Sequence, residues 1–491
     1  MDMVQTAIKI ARSPAGCPML ALAERAVNND GTRRWLLSVI RRQLQDNVDN
    51  DGDLPPAMRK ISRERKLMGL AMFHAVDKAL ERKALSPTVV HALLDIFART
   101  LVLPSSEKVK RPSNTPFRQQ FGCEPPWFLT ISPGHACNLH CTGCYANSGP
   151  APAKLAWPIL DRAISEAKEL WGDRFFVISG GEPMLYRSDG RCLLDMVEKH
   201  SDCVFLMYTN GTLIDKETAV RMAGLGNLFP AISVEGKRER TDERRGTGVF
   251  DRILGAMANL REVGAPFGIS VTATRFNSEE ILSDEFLALF FEEQEAMFGF
   301  LFHYMPVGRR YTLDLMPTPA QRIGMWRRSW EVVEKRQIML IDFWNHGTLV
   351  QGCISAGREG GYLYIDWNGK VMPCVFAPYS VGNIQDFYAR GGTLNDIWKD
   401  PFFQGIRDWQ REYGFGQKEP QKGGNWLRPC PIRDHHRTFR ELVDRYEAEP
   451  EDEQAREALE DQEYYRGLVA YGTDIGEYSQ EIWEKEYLGR G

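Results

Sequence analysis

Apolar residues recur through the first hundred positions at the spacing of one helix face. Between positions 60 and 85 the stripe runs Ile61, Leu67, Met68, Leu70, Met72, Phe73, Val76 and Leu80, close to the helical period. Positions 87–103 form a second such segment. Positions 31–44, with Trp35, Leu36, Val39, Ile40 and Leu44, form a weaker third. The acidic, Pro- and Gly-bearing link 47–56 reads as a loop, and the punctuated stretch 104–126 separates this head from the next region.

From about 127 to 308 the pattern alternates. Short β-rich runs at 128–132, 174–179, 204–210, 230–235, 267–274 and 298–305 are spaced by helical stretches at 159–171, 214–225, 250–263 and 281–295. Strands alternating with helices predict a parallel sheet of βα units. Six units fall short of a closed eight-stranded barrel, so an open partial barrel and a doubly wound sheet both fit. In either, chemistry collects at the carboxyl ends of the strands. After a helix at 319–335, segments 361–366 and 371–375 flank the hairpin signal Asn368-Gly369. A helix-like run at 394–409 follows, whose Trp and Phe residues read as core. The division expected is a helical region 1–118, a core 127–315, an auxiliary domain 343–436 and an acidic helical tail 437–491.

A hydrophobic fraction of 43% and a charged fraction of 26% suit a soluble globular protein. No run nears the ~20 apolar residues of a membrane span, and the first residues lack a signal-peptide core; the expected location is the cytoplasm. The net charge of −5 hides an asymmetry: positions 1–118 carry 20 Lys/Arg against 12 Asp/Glu, whereas 441–491 carry 5 against 16. A basic head suits anionic lipid, nucleic acid or the protein's own acidic tail. Arg33, Arg34, Trp35, Arg41 and Arg42 could rest on the inner membrane face as a peripheral contact. No basic stripe interleaved with aromatics argues for nucleic acid.

Ten cysteines in a reducing compartment point to metal or redox chemistry rather than disulfides. Cys137, Cys141 and Cys144 crowd into eight residues, Cys353, Cys374 and Cys430 stand downstream, and Cys17, Cys123, Cys192 and Cys203 read as ordinary small apolar residues. Three thiolates so close can hold three corners of one cubane or three sites of a tetrahedral metal. Zinc would need a fourth ligand, for which His135 and His140 are candidates. A [4Fe–4S] cluster normally takes four cysteines, so three would leave one iron open.

The C-x3-C-x2-C spacing, set after a strand and followed by Tyr145, resembles the radical S-adenosylmethionine superfamily. That family's other signals come in order: Gly180-Gly181-Glu182-Pro183, Tyr208-Thr209-Asn210-Gly211, Ile232-Ser233-Val234-Glu235-Gly236 with Glu where the family has Asp, Arg245-Gly246, and Met305-Pro306-Val307-Gly308. The resemblance implies an oxygen-sensitive enzyme on a partial (β/α)6 TIM-type barrel, with a helical N-terminal region and a small α+β auxiliary domain. It also implies a [4Fe–4S] cluster on Cys137, Cys141 and Cys144, reductive cleavage of S-adenosylmethionine, and hydrogen abstraction by the resulting 5′-deoxyadenosyl radical. Within it Gly180, Gly181 and Glu182 would meet the methionine ammonium and Arg245 its carboxylate. Ser233 and Glu235 would meet ribose or methionine, and Asn277 and the backbone at Val307 the adenine. The electron would come from a flavodoxin- or ferredoxin-type donor.

Around Cys353, Cys374 and Cys430 the chain resembles the SPASM/twitch auxiliary domain. Three cysteines support one further [4Fe–4S] cluster rather than two. That domain's closing CxxC is absent, and Asp434, His435 or His436 could supply a fourth ligand. For the substrate, a lipid or small molecule is the leading expectation and a peptide, modified as by a maturase, the alternative. A non-catalytic iron–sulfur carrier or scaffold is the reading from another class, against which the intact nucleoside-binding set argues.

Overall fold

The computed structural model describes residues 54–97, 114–416 and 423–490, with a few scattered positions between 29 and 42. The expected helix at 31–44 falls largely, and Cys17 wholly, outside the described residues, as do Arg33 and Arg41 of the cationic cluster around Trp35. Helix α1 (Pro56–Glu81) opens on a proline, whose missing N–H costs nothing in a first turn. Helix α2 (Pro87–Phe97) follows, and α3 (Asn114–Phe121) lies inside the stretch expected as a separator. The eight residues of α3 were too few to show a period, yet Phe117 is buried there, 5.1 Å from the ring of Trp398.

Strands β1 (Phe128–Ile131), β2 (Phe175–Ile178), β3 (Val204–Thr209), β4 (Leu228–Val234), β5 (Gly268–Ala273) and β6 (Gly299–His303) pair in chain order, all parallel. Their alternation buries both faces, as a parallel sheet demands. Leu129, Phe176, Phe205, Ile232, Ile269 and Leu301 are fully buried in the main core. The intervening Thr130, Val177, Leu206, Ser233, Ser270 and Phe300 line the barrel lumen. The outer helices α4 (Trp157–Glu166), α5 (Leu193–Lys199), α6 (Lys216–Leu225), α7 (Arg238–Arg245) and α8 (Val249–Val263) follow their strands. The stretch expected as one helix at 281–295 is broken, because Ser283 accepts from Phe286 N–H and starts a new turn after Glu280–Leu282.

Helix α9 (Pro319–Glu331) leads to β7 (Leu340–Asp342), a parallel partner of β6. The hairpin expected around Asn368-Gly369 forms as β8 (Tyr362–Ile365) and β9 (Val371–Met372). It joins the barrel sheet, with β8 parallel to β1 in the register Phe128↔Tyr362 to Ile131↔Ile365. The sheet thus has nine strands, ordered β9-β8-β1-β2-β3-β4-β5-β6-β7. Beyond it the 394–409 run is two helices, α10 (Leu394–Trp398) and α11 (Pro401–Glu412). Pro401 cannot continue a helix, and Asp400 caps the second by accepting from Phe402 N–H.

The tail packs back on the barrel through α12 (His436–Arg445), α13 (Glu453–Glu460) and α14 (Gln462–Ile482). The pair Glu449–Pro450 is a short antiparallel partner of Tyr379–Ser380. Asn147 donates to Gln454 at 3.1 Å and Tyr464 to the Pro306 carbonyl at 3.0 Å, so this segment straps the loops above the strands. The far end of the tail receives the head. Ala57 and Ile61 of α1 are buried with Ile482, Trp483 and Tyr487, Lys60 pairs with Glu486 at 3.2 Å, and Glu64 accepts from Tyr487 and Thr348. Of the three uses a basic head suits, the described part shows docking on the acidic tail. Among the described residues no helix is long and apolar enough to cross a membrane.

Where the strap meets the hairpin, two carboxyls touch. Burial pushes Asp366 up to about 6, and burial together with Asp366 raises Glu451 well above the carboxylate range. Lys370 spends its ammonium on the main-chain carbonyls of Pro450 and Glu451 instead, so a proton shared between the two carboxyls is expected near neutral pH. With both folded-state values raised, the pair contributes most at low pH; its first proton leaves near 6 and the shared one only higher, where Glu451 titrates. Relative to Glu451→Gln, whose amide can donate to Asp366 at any pH, the unmodified protein should lose on the order of 1–3 kcal/mol between pH ~5 and ~8. Paired thermal unfolding curves measure the difference; parallel pH profiles would rule the shared proton out.

Candidate active site

At the carboxyl ends of β1 to β6 the loop bearing Cys137, Cys141 and Cys144 closes over a cavity of about 280 Å³. All three cysteines line it, with Gly180, Gly181, Ser233, Arg244 and Arg245. Backbone packing seats the loop. Gly181 N–H donates to the Gly134 carbonyl at 3.0 Å and Glu182 N–H to that of Ala136 at 2.8 Å. A Cβ on Gly181 would stand 2.2 Å from the Ala136 oxygen. From the other side, Gly308 has a φ of +70°, and a Cβ there would stand 2.1 Å from the Tyr145 oxygen. Glycine is the residue that both contacts admit.

Two arginines clamp the loop's carbonyls. Arg309 donates to Cys141 O at 2.8 Å and to Ser148 O. Arg244 donates to Thr142 O at 3.1 Å, to Gly143 O at 3.4 Å and to Glu235 Oε1 at 2.6 Å. Asn210, after β3, donates to Asn138 at 2.9 Å and reaches the Cys137 sulfur at 3.8 Å. Tyr145 meets Ser179 at 2.5 Å. Burial pushes Cys137 up to about 11, so a metal taking its sulfur must displace a proton.

The remaining candidate residues divide between wall and frame. Ser233 faces the cavity. Arg245 faces it too, while donating to Glu235 Oε1 through Nε at 2.9 Å and Nη2 at 2.5 Å. Glu235 Oε2 is buried with no hydrogen-bond partner among the described residues. Glu182 is turned into the frame, its carboxylate accepting from Met184 N–H, Thr209 Oγ1 and Asn210 N–H at 2.8–3.1 Å. Asn277 braces the strand ends by donating to the Glu235 and Thr272 carbonyls, and Val307 is buried below Gly308. Arg244, Arg309 and His303 were not singled out from sequence. Adjacent Arg244-Arg245 was the available signal, whereas Arg309 and His303 carried none.

Cys353, Cys374 and Cys430, spread over 78 positions of sequence, come close enough for their charges to interact. Burial raises Cys374 to about 12 and Cys430 to about 11. The Cys374 sulfur accepts from Tyr362 OH and Phe376 N–H, both at 3.3 Å, and Tyr362, Val375 and Phe376 also line the cavity. Asp434 is spent on a buried fork from Arg322, at 2.6 and 3.1 Å. His435 and His436 each hold a carbonyl with one ring nitrogen. His135 likewise contacts the Ala146 carbonyl and stacks on Trp367 at 4.1 Å, so it points away from zinc ligation.

Among the described residues no three His, Cys, Asp or Glu side chains close on one point as a single metal ion requires. Thiols ringing a cavity, with carbonyl-clamping arginines behind them, suit the wider span of a cluster. The fold and this thiol-lined site define a class. The chain matches the Radical SAM superfamily over residues 131–284 and an iron–sulfur cluster-binding SPASM domain over 353–421, and it belongs to the radical SAM superfamily of enzymes.

Among its relatives, mycofactocin maturase MftC of Mycobacterium ulcerans is 31% identical over 59% of this chain and 79% of its own. AdoMet-dependent heme synthase of Methanosarcina barkeri is 28% identical over 57% and 84%. Among solved structures, Streptococcus suis SuiB bound to S-adenosylmethionine superposes with a TM-score of 0.51 at 20% identity, over 65% of this chain and 77% of that one. That likeness confirms the partial barrel with its auxiliary region. The superfamily's cofactors are a [4Fe–4S] cluster and S-adenosylmethionine, and the SPASM domain adds iron–sulfur binding.

Gly308→Ala puts a methyl into the Tyr145 carbonyl. It should destabilise the protein by about 1–3 kcal/mol and lower iron retention at the first thiol set, read by iron analysis after anaerobic desalting. Full retention would show that this contact does not seat the loop.

Proposed function

We propose that this enzyme modifies a peptide or protein side chain by hydrogen abstraction. What carries the reaction type is the convergence of Cys137, Cys141, Cys144, the Gly180–Gly181 backbone, Ser233 and Arg245 on one cavity. The maturase relatives at 31–32% identity support a peptide substrate. When bound, the cluster and S-adenosylmethionine supply a 5′-deoxyadenosyl radical, given an electron from a flavodoxin- or ferredoxin-type donor.

The chain's own residues bind, orient and exclude water. The three cysteines hold the cluster, and Cys353, Cys374 and Cys430 hold a second. Ser233, Ser270 and Thr272 offer hydroxyls to the nucleoside. Arg245 carries charge toward a carboxylate, and Glu235 Oε2 still has its acceptor capacity. Gly180 and Gly181 let backbone approach the amino-acid end. Glu182 fixes that backbone from behind, and Asn277 fixes the adenine side of the strand ends. The aromatic wall keeps water from the reacting carbon.

A second reading, a lipid or other small molecule, is favoured by the apolar lumen below the cysteines and by the heme synthase relative. It would suit the head as a peripheral membrane contact.

Anaerobically reconstituted protein should hold about eight irons per chain, and about four once Cys137, Cys141 and Cys144 are replaced by Ala. Only the unmodified protein should form 5′-deoxyadenosine; equal yields from both would sink the enzyme reading. Incubation with deuterium-labelled peptide and lipid fractions of cells separates the substrates, since abstraction carries deuterium into 5′-deoxyadenosine. Label from the peptide fraction is expected, and label from the lipid extract alone would overturn the peptide reading.

A further inference from the structure

The cavity has two unlike sides. On β4 and β5 it presents small hydroxyls, Ser233, Ser270 and Thr272. Directly beside them Phe300 and Phe302 of β6 pair in register with Ser270 and Thr272, and the wall continues through Phe343 after β7 and Tyr362, Val375 and Phe376 of the hairpin region. These rings pack on one another: Phe302 lies 5.3 Å from Phe343, 5.3 Å from Tyr208 and 6.1 Å from Phe376. The Tyr362 hydroxyl is used by the Cys374 sulfur, which leaves its ring for the lumen.

Charge is confined to one end. No Lys, Asp or Glu is among the described residues lining the cavity, and its two arginines are both bound to Glu235. His303 is held between Asp342 and Arg433, and burial pushes its pKa down. An ammonium or carboxylate carried past the cysteines would lose its hydration and find no partner. A hydrocarbon group would leave water for a wall of aromatic carbon.

We infer that the part of the substrate reaching the reacting centre is an uncharged hydrocarbon group, alkyl or aryl, seated on the Phe300–Phe302–Phe376 wall between the two cysteine sets. The inference rests on the cavity being the reaction site, and it holds for a peptide's side chain as for a small molecule. Phe302, at the centre of the wall, is its specificity-determining residue.

The test uses anaerobically reconstituted full-length protein with S-adenosylmethionine present, titrated with neutral N-phenyl-1-naphthylamine and with its sulfonated counterpart 1-anilinonaphthalene-8-sulfonate. Fluorescence should report one equivalent of the neutral dye, with the sulfonate bound at least about tenfold more weakly. Phe302→Glu should weaken the neutral dye by about tenfold or more, and the milder Phe302→Ser by less. Circular dichroism checks that each variant is folded. Comparable affinity for both dyes in the unmodified protein overturns the inference, as does neutral-dye binding indifferent to both substitutions. Absence of S-adenosylmethionine cleavage would instead remove the reaction site itself, so the two failures are distinguishable.

Discussion

The site depends on backbone lying directly on backbone. The cysteine loop sits between the glycine pair after β2 and the Gly308 turn after β6, at separations where a single methyl would overlap a carbonyl oxygen. Hydrogen bonds from Gly181 and Glu182 set the loop's height above the strands, and Arg244 and Arg309 hold its carbonyls from the side. Three thiols are thereby aimed into one cavity by contacts that do not use their sulfurs. The same arginine face ties the loop to Glu235, so the thiol loop and the carboxyl end of β4 form one charged unit.

Around that unit the rest of the molecule is arranged in layers. The lumen below carries no Lys, Asp or Glu among the described residues, and its polar groups include the hydroxyls of Thr130, Ser179, Thr209, Ser233, Ser270 and Thr272. The hairpin extends the sheet past β1 and carries Cys374 to just behind the lumen wall, bonded to Tyr362 and Phe376 that line the cavity. Behind it, Asp434 is buried on the guanidinium of Arg322, and the two cationic groups Arg322 and Arg433 outweigh burial to hold its carboxyl well below the usual range. The tail straps the loops above and receives α1 below, through an apolar cluster and the Lys60–Glu486 pair.

How far this was legible in the sequence varies with distance along the chain. The six strands of the core were plain, because short β-rich runs between helical stretches are local signals. So was the first thiol set, because all its ligands fall in eight residues and its supporting motifs sit at strand ends. Helix α3 and strand β7 were not, being too short to show a period. The break between α10 and α11 had a local signal in Asp400-Pro401 that the aromatic run masked. The lead given to a lipid or small molecule came from the charge of the head, and composition does not say which surface a charge faces.

By itself, then, the sequence determined the order of elements, the three-thiol loop and the glycines around it, since each is settled by neighbours a few residues apart. Tertiary structure alone decided that the hairpin shares the barrel's sheet, that Glu235 is met by two arginines, that Glu182 turns inward, and that the lumen is apolar below the cysteines. Those facts arise from strand register and from which alternate residues face inside. Both are set by the packing of segments tens to hundreds of residues apart, where no local pattern records the partner.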